Sequence, residues 1–217
     1  MNAEGAHTTD APIEVPNGPY ARGVKRVLDF IVAGFALVIC LVPLGVAALL
    51  IKLDSPGPVF FAQDRVGRRG RIFQVRKLRT MAHGTEKPFT EVVGRAADVT
   101  RLGWILRRLK IDELPQLLWI VRGDMSLVGP RPTVPRMVET FTPRERQRLL
   151  VRPGLTGLAQ VNGSIHLTWP QRCLWDLEYI RRMSFALDVQ IIARTVLVLI
   201  LGEERFRRAP PSGGSEG

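Results

Sequence analysis

The longest apolar stretch in the chain runs from Phe30 to Ile51, 22 positions without a charged side chain. At 1.5 Å per residue a helix of that length reaches about 33 Å, enough to cross the hydrocarbon core of a bilayer. Pro43 divides the run into segments of 13 and 8 residues. A proline inside a helix removes one backbone hydrogen bond and crowds the preceding turn, so a break is expected there. Downstream, Pro58–Gln63 and Ile72–Leu78 read as two strands joined by the Gly-Arg-Arg-Gly turn at 67–70, a hairpin. Thr100–Leu109 has helical periodicity with basic residues on its second face, and Asp112 precedes a further apolar-periodic run, with Pro115 in its first turn. Asp188–Leu201 is apolar but interrupted by Arg194; it reads as a helix lying on a bilayer surface or packed in a core. Residues 1–20 and the segment from 203 to 217 lack periodicity and are rich in Pro, Gly and small polar residues, so both are expected to be disordered tails.

These elements predict a mostly helical α+β protein. Residues 21–54 are expected to form its membrane helix, and residues 55–202 a domain with one β-hairpin and interfacial helices. Charge shapes the topology. Arg22, Lys25 and Arg26 precede the apolar run, and Lys52, Arg65, Arg68, Arg69 and Arg71 follow it. A single spanning helix cannot place both basic flanks on the cytoplasmic side, whereas a helix that turns at Pro43 and leaves by the face it entered can. The expectation is therefore a monotopic, re-entrant helix-break-helix, with a kinked spanning helix as the alternative.

Composition narrows the chemistry. The 217 residues carry 31 Lys+Arg against 20 Asp+Glu, a net charge of +11 that favours an anionic partner: nucleic acid, lipid or phosphorylated substrate. Cys40 and Cys173, far apart, make no disulfide framework, and His7, His83 and His166 are isolated from them and from one another, which excludes a tetrahedral Cys/His metal site. His83 reads as a surface histidine. The four tryptophans, Trp104, Trp119, Trp169 and Trp175, read as core or interface residues.

The strongest chemical signal lies between Arg107 and Pro132. Asp112 is a good N-cap residue, and most capping aspartates do nothing more. A carboxylate at a helix start is nevertheless held ionised, and the free N–H groups there also favour phosphate. Asp112 can thus act as an anionic nucleophile or a metal ligand facing a phosphoryl group. Glu113 can converge on the same point where the chain turns, and Arg107 and Arg108 supply cations for phosphate oxygens.

The ordered series KRVLDF, an apolar run with a central proline, KLDSPGPVFFAQDRVG, KLRTM, TRLGWILRR, IDELPQL, GDMSLVGPRP and RPGLTGLAQVNG closely resembles the bacterial sugar transferase family, the monotopic phosphoglycosyl transferases. The resemblance extends over about Lys25–Leu201. It implies transfer of a sugar 1-phosphate from a nucleotide diphosphate sugar, a UDP-sugar in first place, to polyprenyl (undecaprenyl) phosphate at the cytoplasmic face of the bacterial inner membrane, initiating an envelope polysaccharide or glycoconjugate. Asp112 would be the nucleophile that forms an aspartyl-phosphosugar, and a ligand of Mg²⁺. Glu113 would be an acid/base or metal helper, Arg107 a phosphate ligand, Arg131 the centre of the Pro-Arg-Pro motif and Pro43 the membrane break.

In many members an Arg follows the Asn-Gly pair, whereas this chain has Ser164. Either another arginine substitutes, such as Arg131 or Arg152, or donor binding differs here; Arg79 joins these two as a further phosphate-binding candidate. Membrane lipids are expected partners and nucleic acid is not; the oligomeric state is open, with a homodimer considered. A membrane-anchored nucleic-acid-binding or regulatory protein is the competing class, separated by salt-dependent DNA binding. A metal-dependent phosphatase, releasing phosphate into water, is the other.

Overall fold

The computed structural model describes residues 12–82, 84, 98–206 and 208–211. A short π-helical turn at Tyr20–Val24 leads into α1, Lys25–Asp54. The side of α1 that meets the domain is one narrow stripe. Asp29, Ala33, Ala47 and Ile51 are buried and Ala36, Leu37, Cys40 and Leu44 are partly covered, a succession of three- and four-residue steps that keeps to one helix face. Phe35, Val38, Val42 and Leu53 on the other faces are more than half exposed. α1 with its leading turn is the one described helix long and apolar enough to cross a membrane. It continues through Pro43 as a single helix, without the break expected there.

Strands β1 (Phe60–Val66) and β2 (Ile72–Leu78) form the expected antiparallel hairpin, β1 starting two residues later than the sequence suggested and running to the turn. The turn places Arg69 at φ 57° and Gly70 at φ 79°. Period-two alternation puts Phe61, Gln63 and Arg65 opposite Lys77, Val75 and Phe73, all on one face of the hairpin. α2 (Arg101–Arg108) follows, capped by the Thr100 side chain, which accepts from the Gly103 N–H. His83 and most of the loop before α2 lie outside the described residues.

The remainder packs around α3 (Leu117–Arg122), β3 (Ser126–Val128), α4 (Pro135–Glu139), α5 (Pro143–Arg146), β4 (Gly154–Thr156), α6 (Leu158–Val161), α7 (Trp169–Arg182) and α8 (Phe185–Leu201). β3 and β4 pair in parallel, Ser126 opposite Gly154 and Val128 opposite Thr156. The two chains approach so closely that a Cβ on Gly154 would sit 2.1 Å from the Gly129 nitrogen, so only glycine fits. One core gathers Val128, Val161, Tyr179, Ile180 and Ile191; a second joins α1 to Phe73, Val75, Leu117, Ile120 and Met125. α8 buries Leu187, Ile191 and Val198, as the core reading expects, and leaves Val189, Ile192, Val196 and Ile200 exposed on its other side.

Parts of both predicted tails belong to the folded body. Ile13 is buried in the first core and its N–H donates to Gln147 Oε1 at 2.6 Å. Glu203–Phe206 forms a 3-10 turn, with Phe206 against the same core. The N-terminal end of α1 is fastened by polar contacts. Tyr20 OH and Lys25 Nζ both donate to Asp188, Tyr179 OH donates to its other oxygen at 2.8 Å, and Asp29 accepts from Ser126 Oγ (2.7 Å) and the Leu127 N–H (3.2 Å).

Candidate active site

α2 ends at Arg107 and Arg108, and the chain reverses at Lys110, which adopts φ 55°. A 3-10 segment, Ile111–Gln116, follows. Asp112 therefore lies inside this segment and Lys110 holds the capping position, a correction to the N-cap reading. Ile111 packs beside Ala47 and Ile51 of α1 through Leu78 and Leu106. This anchors the segment to the C-terminal half of α1.

Asp112 is buried, and its Oδ1 has no hydrogen-bond partner. Burial pushes its carboxyl up, the negative charge of Glu113 adds to the effect, and Lys77, Lys110 and Arg107 oppose it; the outcome is a pKa of about 6. Glu113 goes the other way. Burial alone would raise it, but the charge of Arg131 and its two hydrogen bonds, at 2.6 and 3.3 Å, bring it down to about 2. Adjacent carboxylates are thus driven apart: Glu113 is a committed anion, whereas Asp112 is charged at neutral pH yet poorly solvated.

Three cations surround Asp112. Arg107 is held by Nε donating to Thr80 Oγ1 at 2.7 Å. Its position depends on the close seating of α2, since a Cβ on Gly103 would fall 2.0 Å from the Thr80 carbonyl oxygen. Lys77 on β2 lies over the Phe61 ring at 5.5 Å, and burial lowers its pKa while Asp112 and Glu113 act to raise it. Lys77 stands in the predicted basic run, but charge alone did not mark it off from its neighbours; alternation within the strand, which separates it from Arg76 and Leu78, is the signal that could have done so. Beside Glu113 a cleft is lined by Phe61, Gln63, Arg65, Lys77, Glu113 and Arg131 among others.

Arg107, Asp112, Glu113 and Arg131 are therefore brought together, but other predicted residues are placed elsewhere. Arg79 is buried, and its Nη1 and Nη2 donate to the carbonyls of Pro56 (2.6 Å) and Ser55 (2.7 Å) beyond the end of α1. Arg152 donates to the Gly123 carbonyl at 2.8 Å, at the end of α3, where the charges of Arg68 and Arg26 bear on it. Arg108 lies over the Trp104 ring at 5.4 Å.

Among the described residues no three His, Cys, Asp or Glu side chains form a metal-binding group. A magnesium ion fits as one shared with a substrate: Asp112, with its orphaned oxygen, would hold it, and phosphate oxygens would complete its shell.

Comparison with known proteins adds an independent line. The family model described as bacterial sugar transferase matches residues 20–202. A UDP-glucose:undecaprenyl-phosphate glucose-1-phosphate transferase of Caulobacter vibrioides is 43% identical over 205 residues, spanning 88% of this chain and 76% of the relative. The uncharacterized sugar transferase EpsL of Bacillus subtilis is 36% identical, over 83% of this chain and 89% of its own. A UDP-N-acetylgalactosamine-undecaprenyl-phosphate N-acetylgalactosaminephosphotransferase of Aeromonas hydrophila is 37% identical over 87% of this chain, which spans 46% of that longer protein.

Proposed function

The chain belongs to the bacterial sugar transferase family, and within it we propose that it transfers a sugar 1-phosphate from a UDP-sugar to undecaprenyl phosphate through a covalent intermediate on Asp112. The observation that carries this reading is the Asp112 carboxylate itself: buried, with an oxygen lacking any partner, and facing Lys77, Lys110 and Arg107. A carboxylate kept only for structure would have its acceptors satisfied.

In the first step an Asp112 oxygen attacks the β-phosphorus of the sugar nucleotide. The bond from that phosphorus to the bridging oxygen breaks, and the electron pair leaves with the nucleoside monophosphate. Arg107 and Lys77 offset the charge that gathers on the phosphoryl oxygens, while Glu113 keeps Arg131 at the edge of the cleft. Bound Mg²⁺ would supply further neutralisation of the diphosphate. In the second step an oxygen of undecaprenyl phosphate attacks the phosphorus of the acyl phosphate, which restores the Asp112 carboxylate and yields a lipid diphosphate sugar. The placing of the site beside α1 suits this chemistry, since the acceptor lives in the membrane and the donor is soluble.

Detergent-solubilised protein mixed with a panel of UDP-sugars and Mg²⁺, without lipid, should release about one equivalent of UMP per site and then stop. A phosphosugar adduct should be found on the Asp112 peptide, and Asp112→Asn should abolish both signals. UMP release only in proportion to lipid product would instead assign the attack to the lipid phosphate.

In the membrane, α1 is proposed to enter and leave by the cytoplasmic face, bending at Pro43. Cysteines introduced at Gly23 and Ser55 should then both be labelled from the cytoplasm alone; external labelling of either would establish a spanning helix.

A further inference from the structure

The Pro-Arg-Pro loop has little means of holding itself in place. Pro130 and Pro132 have no N–H, so the backbone on either side of Arg131 is short of donors for a turn of its own. Instead, four successive carbonyls are each captured from outside. The Pro130 carbonyl accepts from the Gly154 N–H (2.9 Å), that of Arg131 from Arg148 Nη2 (3.0 Å), that of Pro132 from Arg65 Nη1 (2.9 Å) and that of Thr133 from the Val66 N–H (2.8 Å). The carbonyl of Arg131, the residue whose side chain grips Glu113, is thus held by the side chain of Arg148.

That side chain is unusual in its own right. Arg148 is 4% exposed, and its Nη2 and Nε donate to Asp176 Oδ2 at 2.6 and 3.1 Å. Its Nη1 lies 3.4 Å from Thr133 Oγ1, and its guanidinium stacks over Trp169 at 4.8 Å and Phe141 at 5.8 Å. A buried ion pair is weak evidence for stability, because apolar residues of similar volume serve as well or better. An apolar residue at 148, however, could not hold the carbonyl of Arg131. A lysine would keep the charge but not the fork that reaches Asp176, Arg131 and Thr133 at once.

We infer that Arg148, oriented by Asp176, is a positioning residue that sets where Arg131 stands and hence how Glu113 is held beside Asp112. This inference rests on the catalytic reading above. Neither Arg148 nor Asp176 touches the reacting groups; both act through the backbone of Arg131.

The test is a double-mutant cycle on the full-length protein in detergent, with UMP release measured for the UDP-sugar that the wild type uses best. Arg148→Lys should lower kcat roughly tenfold, with KM changed less, since geometry rather than uniform binding is lost. In an Arg131→Lys background the same substitution should cost less than about twofold, because the residue it acts through is already altered. Asp176→Asn should follow Arg148→Lys in both backgrounds. Ile180→Val, which loosens the core without touching the loop, should lower the melting temperature and leave kcat unchanged.

Catalysis-independent evidence comes from peptide-resolved modification of Arg131 by phenylglyoxal. The reaction should be slowed in the wild type, where both Nη groups of Arg131 are paired with Glu113, and several-fold faster in Arg148→Lys but not in Ile180→Val. Equal losses of kcat in both backgrounds, with Arg131 reactivity unchanged, would reduce Arg148 to a core ion pair. If the wild type released no UMP from any UDP-sugar the catalytic reading would fail, and the modification rates would still decide whether Arg148 positions Arg131.

Discussion

The two ends of α1 each stand beside buried carboxylates, and they are treated in opposite ways. At the N-terminal end, Asp188 accepts on both oxygens from Tyr20, Lys25 and Tyr179, and Asp29 accepts on both from Ser126 and the Leu127 backbone. Beside the C-terminal half, Asp112 has an oxygen with no partner and relies on unlike charges at a distance. Burial is common to all three. Satisfied acceptors make a joint, whereas an acceptor left without a donor makes a site that a ligand can complete.

The contrast has measurable consequences of opposite sign. The larger is at the joint: Asp188→Ala removes the shared acceptor of Tyr20, Lys25 and Tyr179, leaving Lys25 with Asp29 at 3.7 Å and Tyr179 with the Val128 carbonyl at 3.1 Å, and should cost about 3 to 5 kcal/mol of stability by chemical denaturation in detergent. A loss below about 1 kcal/mol would mean that this network contributes little to holding α1.

The smaller effect is a gain. Because the Asp112 carboxyl is raised to about 6 in the folded protein from 3.8, its ionisation destabilises the fold. The penalty is absent below about pH 4, grows as pH rises through the interval and is complete above about pH 6. Asp112→Asn, which stays neutral, should therefore be more stable than the wild type by about 1 to 3 kcal/mol at pH 8, with the difference shrinking towards pH 4. An advantage independent of pH would show that the carboxylate carries no such cost.

Local patterning explains what could be read before any coordinates. α1, the hairpin and α2 each declare themselves through an apolar run, a Gly-flanked turn or a helical period within a few residues. The β3–β4 pair could not declare itself, because its strands are three residues long and separated by 25 others. Asp112 was placed in the right neighbourhood but at the wrong capping position, since a lysine at positive φ is not a signal that sequence carries. Arg79 shows the limit of charge as a guide. A guanidinium that binds phosphate and one that binds carbonyls are the same in sequence, and only the direction of the side chain separates them.

That direction has a mechanical side. Arg79 ties the carbonyls just past α1 to the strand carrying Lys77, one residue beyond β2, so α1 and one wall of the cleft are coupled in any tilt. A helix that spans a bilayer answers a change in its thickness chiefly by tilting, whereas one that enters and leaves by the same face has no fixed span to match. The tie therefore separates the two arrangements: with a re-entrant α1, UMP release in vesicles of graded acyl-chain length should vary little, whereas a spanning α1 would give an optimum that Arg79→Gln, which loosens the tie, should flatten.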